Sequence, residues 1–396
     1  MSRSSTRSDV LSVPSQRGTF SKEFDLLCAC AGVELAPERA ARIANWKESQ
    51  PEWNEFFRMA EHHGVRALAA RNLNAHARGL PPEIEQGLRS EYEENIRRNL
   101  WFAGELARIA ERFEKKKLQA VPYKGPALAE SVYGDLALRN FSDLDFLIAP
   151  ADFEAAKQAL AELGYLPSQE LSPEAERLWL RIGYERAFDG PAGRNLVELQ
   201  WRVLPHFYGV DLRIDDLLAR SGRAALGGRE VPALAPEDLL LVLCLHAAKH
   251  LWMRLIWVCD IAEALRQPTD YGQVMARACA LGITRILGVS FWLADNLLHA
   301  PLPQSAQEVI AADPEVPALG REFAARLARG AEYDLESSEY FRLILRLRER
   351  RRDRWRYLWR LVLTPGAGDV AAVRLPEPLF PLYRVVRLAR LVRKLV

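Results

Sequence analysis

The chain has 396 residues, 49% of them hydrophobic and 27% charged, with a formal net charge of +2. That length holds two or three domains of about 100–200 residues, and the balance is that of an ordinary soluble globular protein. So small a net charge excludes a whole-surface attraction to nucleic acid, and the longest purely apolar run, Leu239 to Leu245, spans seven residues against the roughly 20 that cross a bilayer.

The first 18 residues are rich in Ser and Arg and lack periodicity, so residues 1–20 are expected to be a flexible tail. They carry no charged start followed by an apolar stretch, and a cytoplasmic location is expected. Residues 21–117 read as a helical region: Arg, Ala, Glu and Leu dominate, and apolar residues recur at three- and four-residue spacing. Within it, Glu61-His62-His63-Gly64-Val65 marks a helix end, because Gly suits the left-handed position that follows a helix. Cys28 and Cys30 sit in an apolar stretch and are expected to be core thiols; the five cysteines form neither a disulfide framework nor a paired zinc spacing.

Residues 118–235 change texture to a small α/β core. Gln119 to Tyr123 reads as a strand, Lys124-Gly125 as a turn, and Pro126 to Tyr133 as a helix with proline in its first turn. Asp143 to Ile148 is a strand on which Asp143 and Asp145 emerge on one face and Leu144 and Phe146 on the other. Ala151 to Leu163 is a helix ending at Gly164. Tyr184–Phe188 and Asn195–Val203 flank Asp189-Gly-Pro-Ala-Gly193, which is a hairpin signal. From 236 to 396 helices return: Pro236 to about Arg266, Tyr271–Leu281, Arg285–Leu298, Val316–Arg329 and Ser337–Leu361, followed by a basic tail. The fold class is therefore α+β, a small mixed sheet flanked by N- and C-terminal helical regions.

Two carboxylates two residues apart on a buried strand resist joint ionisation unless a cation lies between them. Magnesium fits, since it takes oxygen ligands and keeps substrate phosphates in its shell, and in phosphoryl transfer it neutralises phosphate charge. Lys124-Gly125, between a strand and a helix, is placed to hold phosphate. Glu198, inside an apolar strand, needs a cationic partner to offset its burial. Arg139 is placed either to clamp a triphosphate or to pair with Asp143 or Asp135.

Together, Lys124-Gly125, Tyr133, Arg139 and Ser142-Asp143-Leu144-Asp145-Phe146-Leu147-Ile148 resemble the uncharacterised nucleotidyltransferase family of the DNA polymerase β-like superfamily. Segments Glu61–Leu73, Glu198–Trp201, His246–Asp260 and Pro365–Val396 are similar to family features as well. The resemblance implies metals on Asp143 and Asp145, a triad completed by Glu198, and a nucleoside triphosphate such as ATP held at Lys124, Gly125, Arg139 and Ser142. Two departures stand out. Gly125 is followed by Pro126 where the superfamily usually has Gly-Ser, and Gln200 stands where a histidine is expected.

Further residues remain to be placed. His246, His250, Met253, Trp257 and Asp260 fall within about 80° on one helix, either as support behind the acidic site or as partners within the core. Arg342 to Arg360 holds nine arginines against two acids, with Trp355, Tyr357 and Trp359 interleaved. That pattern is read as an arginine face in solvent with an aromatic face packed inward, or as a single-stranded nucleic-acid surface. The basic amphipathic tail from Leu379 is expected to dock on the body, with anionic membrane as the alternative. Three functions follow: Mg2+-dependent transfer of a nucleoside monophosphate to an unidentified acceptor, a non-catalytic nucleotide-binding or scaffold protein, or nucleic-acid binding through the arginine-rich helix.

Overall fold

The computed structural model describes residues 20–395 except 333, 335, 336 and 374. At its centre is a five-stranded sheet in the order β1-β2-β5-β4-β3, built from β1 (Ala120–Pro122), β2 (Asp143–Ile148), β3 (Leu166–Pro167), β4 (Glu185–Asp189) and β5 (Leu196–Gln200). β2 and β5 run parallel, and the remaining neighbours are antiparallel. A two-stranded sheet, β6 (Gly222–Leu226) with β7 (Arg229–Ala233), lies beside it. The mixed α+β expectation is met, and the Asp189–Gly193 hairpin joins β4 to β5 with Asp189 opposite Leu196.

Strand alternation divides the sheet into two different faces. Leu144, Phe146 and Ile148 of β2, with Val197 and Leu199 of β5, pack into one core. That core is roofed by the 34-residue helix Pro82–Lys115. This helix contributes Phe102, Leu106, Ile109 and Phe113 at the three- and four-residue spacing of a helix face. Val121 and Leu147 point the other way, into a larger core shared with the N- and C-terminal helices. Asp143, Asp145 and Glu198 belong to this second face, so the sheet's register alone carries the acids toward the helices after residue 236.

Those helices depart from the sequence expectation at one informative place. The segment from Pro236 to Arg266 is two helices, Pro236–Lys249 and Leu255–Ala264. Between them Leu251 and Trp252 both adopt a left-handed backbone, φ 50° each, which L-residues take at a cost of about 1–2 kcal/mol. Burial offsets the cost: Trp252 is fully buried against Phe323, and its indole donates to Ser290 Oγ at 3.2 Å. The second helix starts by docking its first amides on His63, Ile256 N–H donating to the His63 carbonyl at 3.0 Å. Gly64, φ 69°, ends the preceding Trp53–His62 helix as expected.

The expected helix from Ser337 to Leu361 is likewise divided, into Ser338–Leu347 and Arg351–Leu363. The chain turns at the buried Arg348, whose carbonyl accepts from Arg354. Cys28 and Cys30 are buried in the larger core, and burial pushes the Cys30 thiol up to about 12, which agrees with a packing role. Among the described residues, no helix is long and apolar enough to cross a membrane.

Candidate metal centre

β2 and β5 are in parallel register with Asp145 opposite Glu198 and Asp143 opposite Leu196. One carboxylate oxygen from each of Asp143, Asp145 and Glu198 lies within 4.8 Å of the other two, and this is the one group of three His, Cys, Asp or Glu ligands found among the described residues. Asp145 is 2% exposed, while Asp143 and Glu198 are half-buried, so the group is open on one side.

Three side chains brace it. Lys124 Nζ sits 3.1 Å from Asp145 Oδ1. The Gln200 amide donates to Asp145 Oδ1 and to Glu198 Oε2, both at 2.9 Å, and its own oxygen accepts from the Tyr123 hydroxyl at 2.7 Å. Gln200 therefore does at this position what two hydrogen-bond donors are needed for, locking the two carboxylates relative to each other. The second oxygen of Asp145, Oδ2, is buried with no hydrogen-bond partner, an arrangement that costs about 1–3 kcal/mol or more for a charged group.

The electrostatics agree. Burial, reinforced by the charge of Asp145, pushes Glu198 up to about 8 and raises Asp143 as well. Lys124 is raised: burial works against its charge, but Asp145 and its neighbours outweigh it. Three clustered carboxylates with an orphaned buried oxygen form a hard-oxygen donor set that fits Mg2+.

The other residues singled out from sequence are placed as follows. Gly125, φ 57°, is packed so that a Cβ would lie 3.3 Å from the Asp143 carbonyl oxygen. The Lys124-Gly125 turn is thus pressed against the acidic strand, and both residues are buried. Ser142 is exposed one residue before β2. Arg139 is engaged elsewhere: its Nε and Nη2 donate to the two oxygens of Asp260 at 2.8 and 2.9 Å, and Tyr133 donates to the same carboxylate at 2.7 Å. It pairs with neither Asp143 nor Asp135.

His246 and His250 touch each other, and His250 stacks on Trp257 at 4.9 Å. Burial, with Lys124 and Lys249 nearby, lowers both histidines well below their ordinary range and keeps them neutral. With Asp260 turned to Arg139, the His-His-Asp face expected on a single helix is split between two clusters.

Two neighbours escaped the sequence reading. Lys249, in the last turn of Pro236–Lys249, is buried with its ammonium 4.7 Å from the Tyr184 ring centroid. Burial lowers its pKa, while Glu185 and Glu198 oppose the shift. Glu185 lies opposite Gln200 in the β4–β5 register, on the acidic face. The signal available was strand alternation, which puts Glu185 on the face of Glu198; no local pattern points to Lys249.

A small mixed sheet with Asp-x-Asp on one strand, a third acid on its parallel neighbour and flanking helices is consistent with a nucleotidyltransferase core. The chain belongs to the uncharacterised nucleotidyltransferase family, which it matches over residues 49–299. No curated protein matches the chain.

Proposed function

We propose that this protein is a Mg2+-dependent enzyme that transfers a nucleoside monophosphate from a nucleoside triphosphate such as ATP to an acceptor hydroxyl. The observation that carries the reading is the convergence of Asp143, Asp145 and Glu198 ligand atoms within 4.8 Å on one sheet face. Asp143 and Asp145 are the residues that would hold the metal, with Glu198 completing the set. When bound, Mg2+ supplies charge neutralisation on the phosphates. The acceptor oxygen bonds to the α-phosphorus, the bond from that phosphorus to the pyrophosphate oxygen breaks, and the hydroxyl proton is released.

The chain's own contributions are positional. Gln200 fixes the angle between Asp145 and Glu198. Lys124, 3.1 Å from Asp145 Oδ1, would be available to phosphate if a metal took its place on that carboxylate, and Ser142, one residue before β2, offers an exposed hydroxyl. Half-buried Glu198 would support a second metal or orient the acceptor. Asp260 holds Arg139 behind Asp143, where its charge favours the ionised carboxylate. Such a set pre-organises a phosphoryl-transfer site, in which positioning and electrostatics supply most of the rate.

The test is transfer of label from an α-labelled triphosphate in cell lysate, native protein against Asp143→Asn. Label on a macromolecule or small acceptor with the native chain alone supports the reading; equal labelling by both proteins overturns it. A second reading, a nucleotide-binding protein without catalysis, draws on one observation: the Lys124 ammonium lies 3.1 Å from Asp145 Oδ1, a charge partner supplied by the chain itself. Nucleotide binding with no transferred label would select it.

A further inference from the structure

The helix Arg351–Leu363 is mounted the wrong way round for a solvated arginine face. Its inward side carries Asp353, Tyr357, Arg356 and Arg360. Tyr357 is fully buried, and both arginines reach Asp211, Arg356 Nη1 at 2.6 Å and Arg360 Nη1 at 3.3 Å. Its outward side carries Trp355, Leu358, Trp359 and Val362, at positions i, i+3, i+4 and i+7 of one stripe. Trp355 is 73% and Trp359 70% exposed.

The neighbouring helix Tyr383–Leu395 repeats the arrangement. Arg387 and Arg390 turn inward to Asp369, at 3.2 and 2.6 Å, and Arg387 also donates to the Leu361 carbonyl of the first helix. Val385 and Leu388 face out. In the first helix the exposed Asp211 and in the second the buried Asp369 pair with arginines on the side toward the body, while apolar side chains stand in water. Two exposed tryptophans on one stripe are what a soluble surface ordinarily avoids.

Charge identifies the partner. Residues 351–396 hold eleven Lys and Arg against three Asp and Glu, while the whole chain is only +2; Arg351 and Arg352, four and three residues before Trp355, extend the same outward stripe. Arg351 and Arg352, both exposed, flank the stripe at its start, and Arg384 is exposed on the second helix. A cationic surface with tryptophans standing outward matches the interface of an anionic bilayer, where indole rings sit at headgroup level and Lys and Arg meet the lipid charge.

We propose that Trp355, Leu358, Trp359 and Val362, flanked by Arg351 and Arg352, form a docking surface by which this protein binds peripherally to anionic membranes. The segment lies beyond the family match at residues 49–299, and the surface is separate from the acidic centre.

The experiment uses the full chain with sedimentable vesicles of phosphatidylcholine alone or with about a third phosphatidylglycerol. Native protein is expected to bind the anionic vesicles at least about tenfold more tightly than the neutral ones, with a blue shift of tryptophan emission and weakening at high salt. Trp355→Ser/Trp359→Ser, whose changes lie on an exposed face, is expected to lose about tenfold in binding while keeping the native circular dichroism. Trp355→Phe/Trp359→Phe is expected to restore most of it. The proposal is overturned by equal or absent binding to both vesicles, by binding of a single-stranded oligonucleotide in their place, or by a stable dimer that the serine variant dissociates.

Discussion

Arg139 and Asp260, 121 residues apart in the chain, form a two-pronged ion pair with both side chains more than nine-tenths buried. The pair ties the loop before β2 to the Leu255–Ala264 helix, and it accounts for two residues that the sequence suggested separately, one as a triphosphate clamp and the other as a partner of histidines. Removing one partner of a buried pair leaves an uncompensated charge, at a cost of about 3–5 kcal/mol. Asp260→Ala is therefore expected to lower the urea midpoint by that equivalent without changing the slope. A loss under about 1 kcal/mol would show that water reaches the guanidinium.

Gly125 is needed for two reasons at one position. Its φ of 57° disfavours any side chain, and a Cβ would press within 3.3 Å of the Asp143 carbonyl. Gly125→Ala is expected to lose about 1–2 kcal/mol from the backbone alone. It should also shift Asp143 enough to weaken Mn2+ binding, read by paramagnetic relaxation of water. Gly134→Ala, also at positive φ but with open space around the added methyl, is the control: it should lose comparable stability with metal binding intact.

These two cases show how far the sequence could be read. The β2 strand was legible to the residue, because alternation and an apolar continuation through Ile148 leave no other pairing. The triad was legible in kind, since a carboxylate in the apolar strand around Glu198 requires a cationic environment. What was not legible depends on contacts remote in sequence. Leu251 and Trp252 carry no Gly or Pro to announce a break, and the left-handed turn exists because Trp252 is buried against Phe323 and Ser290. The reading of an aromatic face packed inward with Trp355, Tyr357 and Trp359 holds for Tyr357 alone, since Trp355 and Trp359 are exposed. Contacts remote in sequence decide that: Tyr357 is fully buried against Phe207 and Tyr208, about 150 residues away, and Asp211 pairs with Arg356 at the rim.

Lys124 presents a competition that can be measured. Its ammonium occupies one oxygen of Asp145, the same carboxylate proposed to hold the metal. Lys124→Ala is expected to leave Mn2+ binding in the absence of nucleotide equal or tighter, because a competing cation is gone. The same variant should weaken binding of a non-hydrolysable ATP analogue by about tenfold, or 1.4 kcal/mol, through loss of a phosphate contact. Equal weakening of both would instead limit Lys124 to bracing Asp145, with no phosphate contact of its own.

The pH dependence follows from Glu198. Burial and the charge of Asp145 raise its carboxyl from 4.5 to about 8. Between those values the folded chain keeps a proton that the unfolded chain has lost, so the unfolded state binds fewer protons and stability falls as pH rises. The contribution is fully present below about 4.5 and gone above about 8, and the raised Asp143 acts in the same direction. Metal binding reverses the preference, because ligand carboxylates must be ionised. In the absence of divalent ions the melting temperature is expected to decline from pH 6 to pH 9 relative to Glu198→Gln, which cannot titrate there. Added Mg2+ should raise the native melting temperature more at pH 8.5 than at pH 6.5 and do little for the variant. A Mg2+ effect independent of pH, or one retained in Glu198→Gln, would place the ion away from this carboxylate.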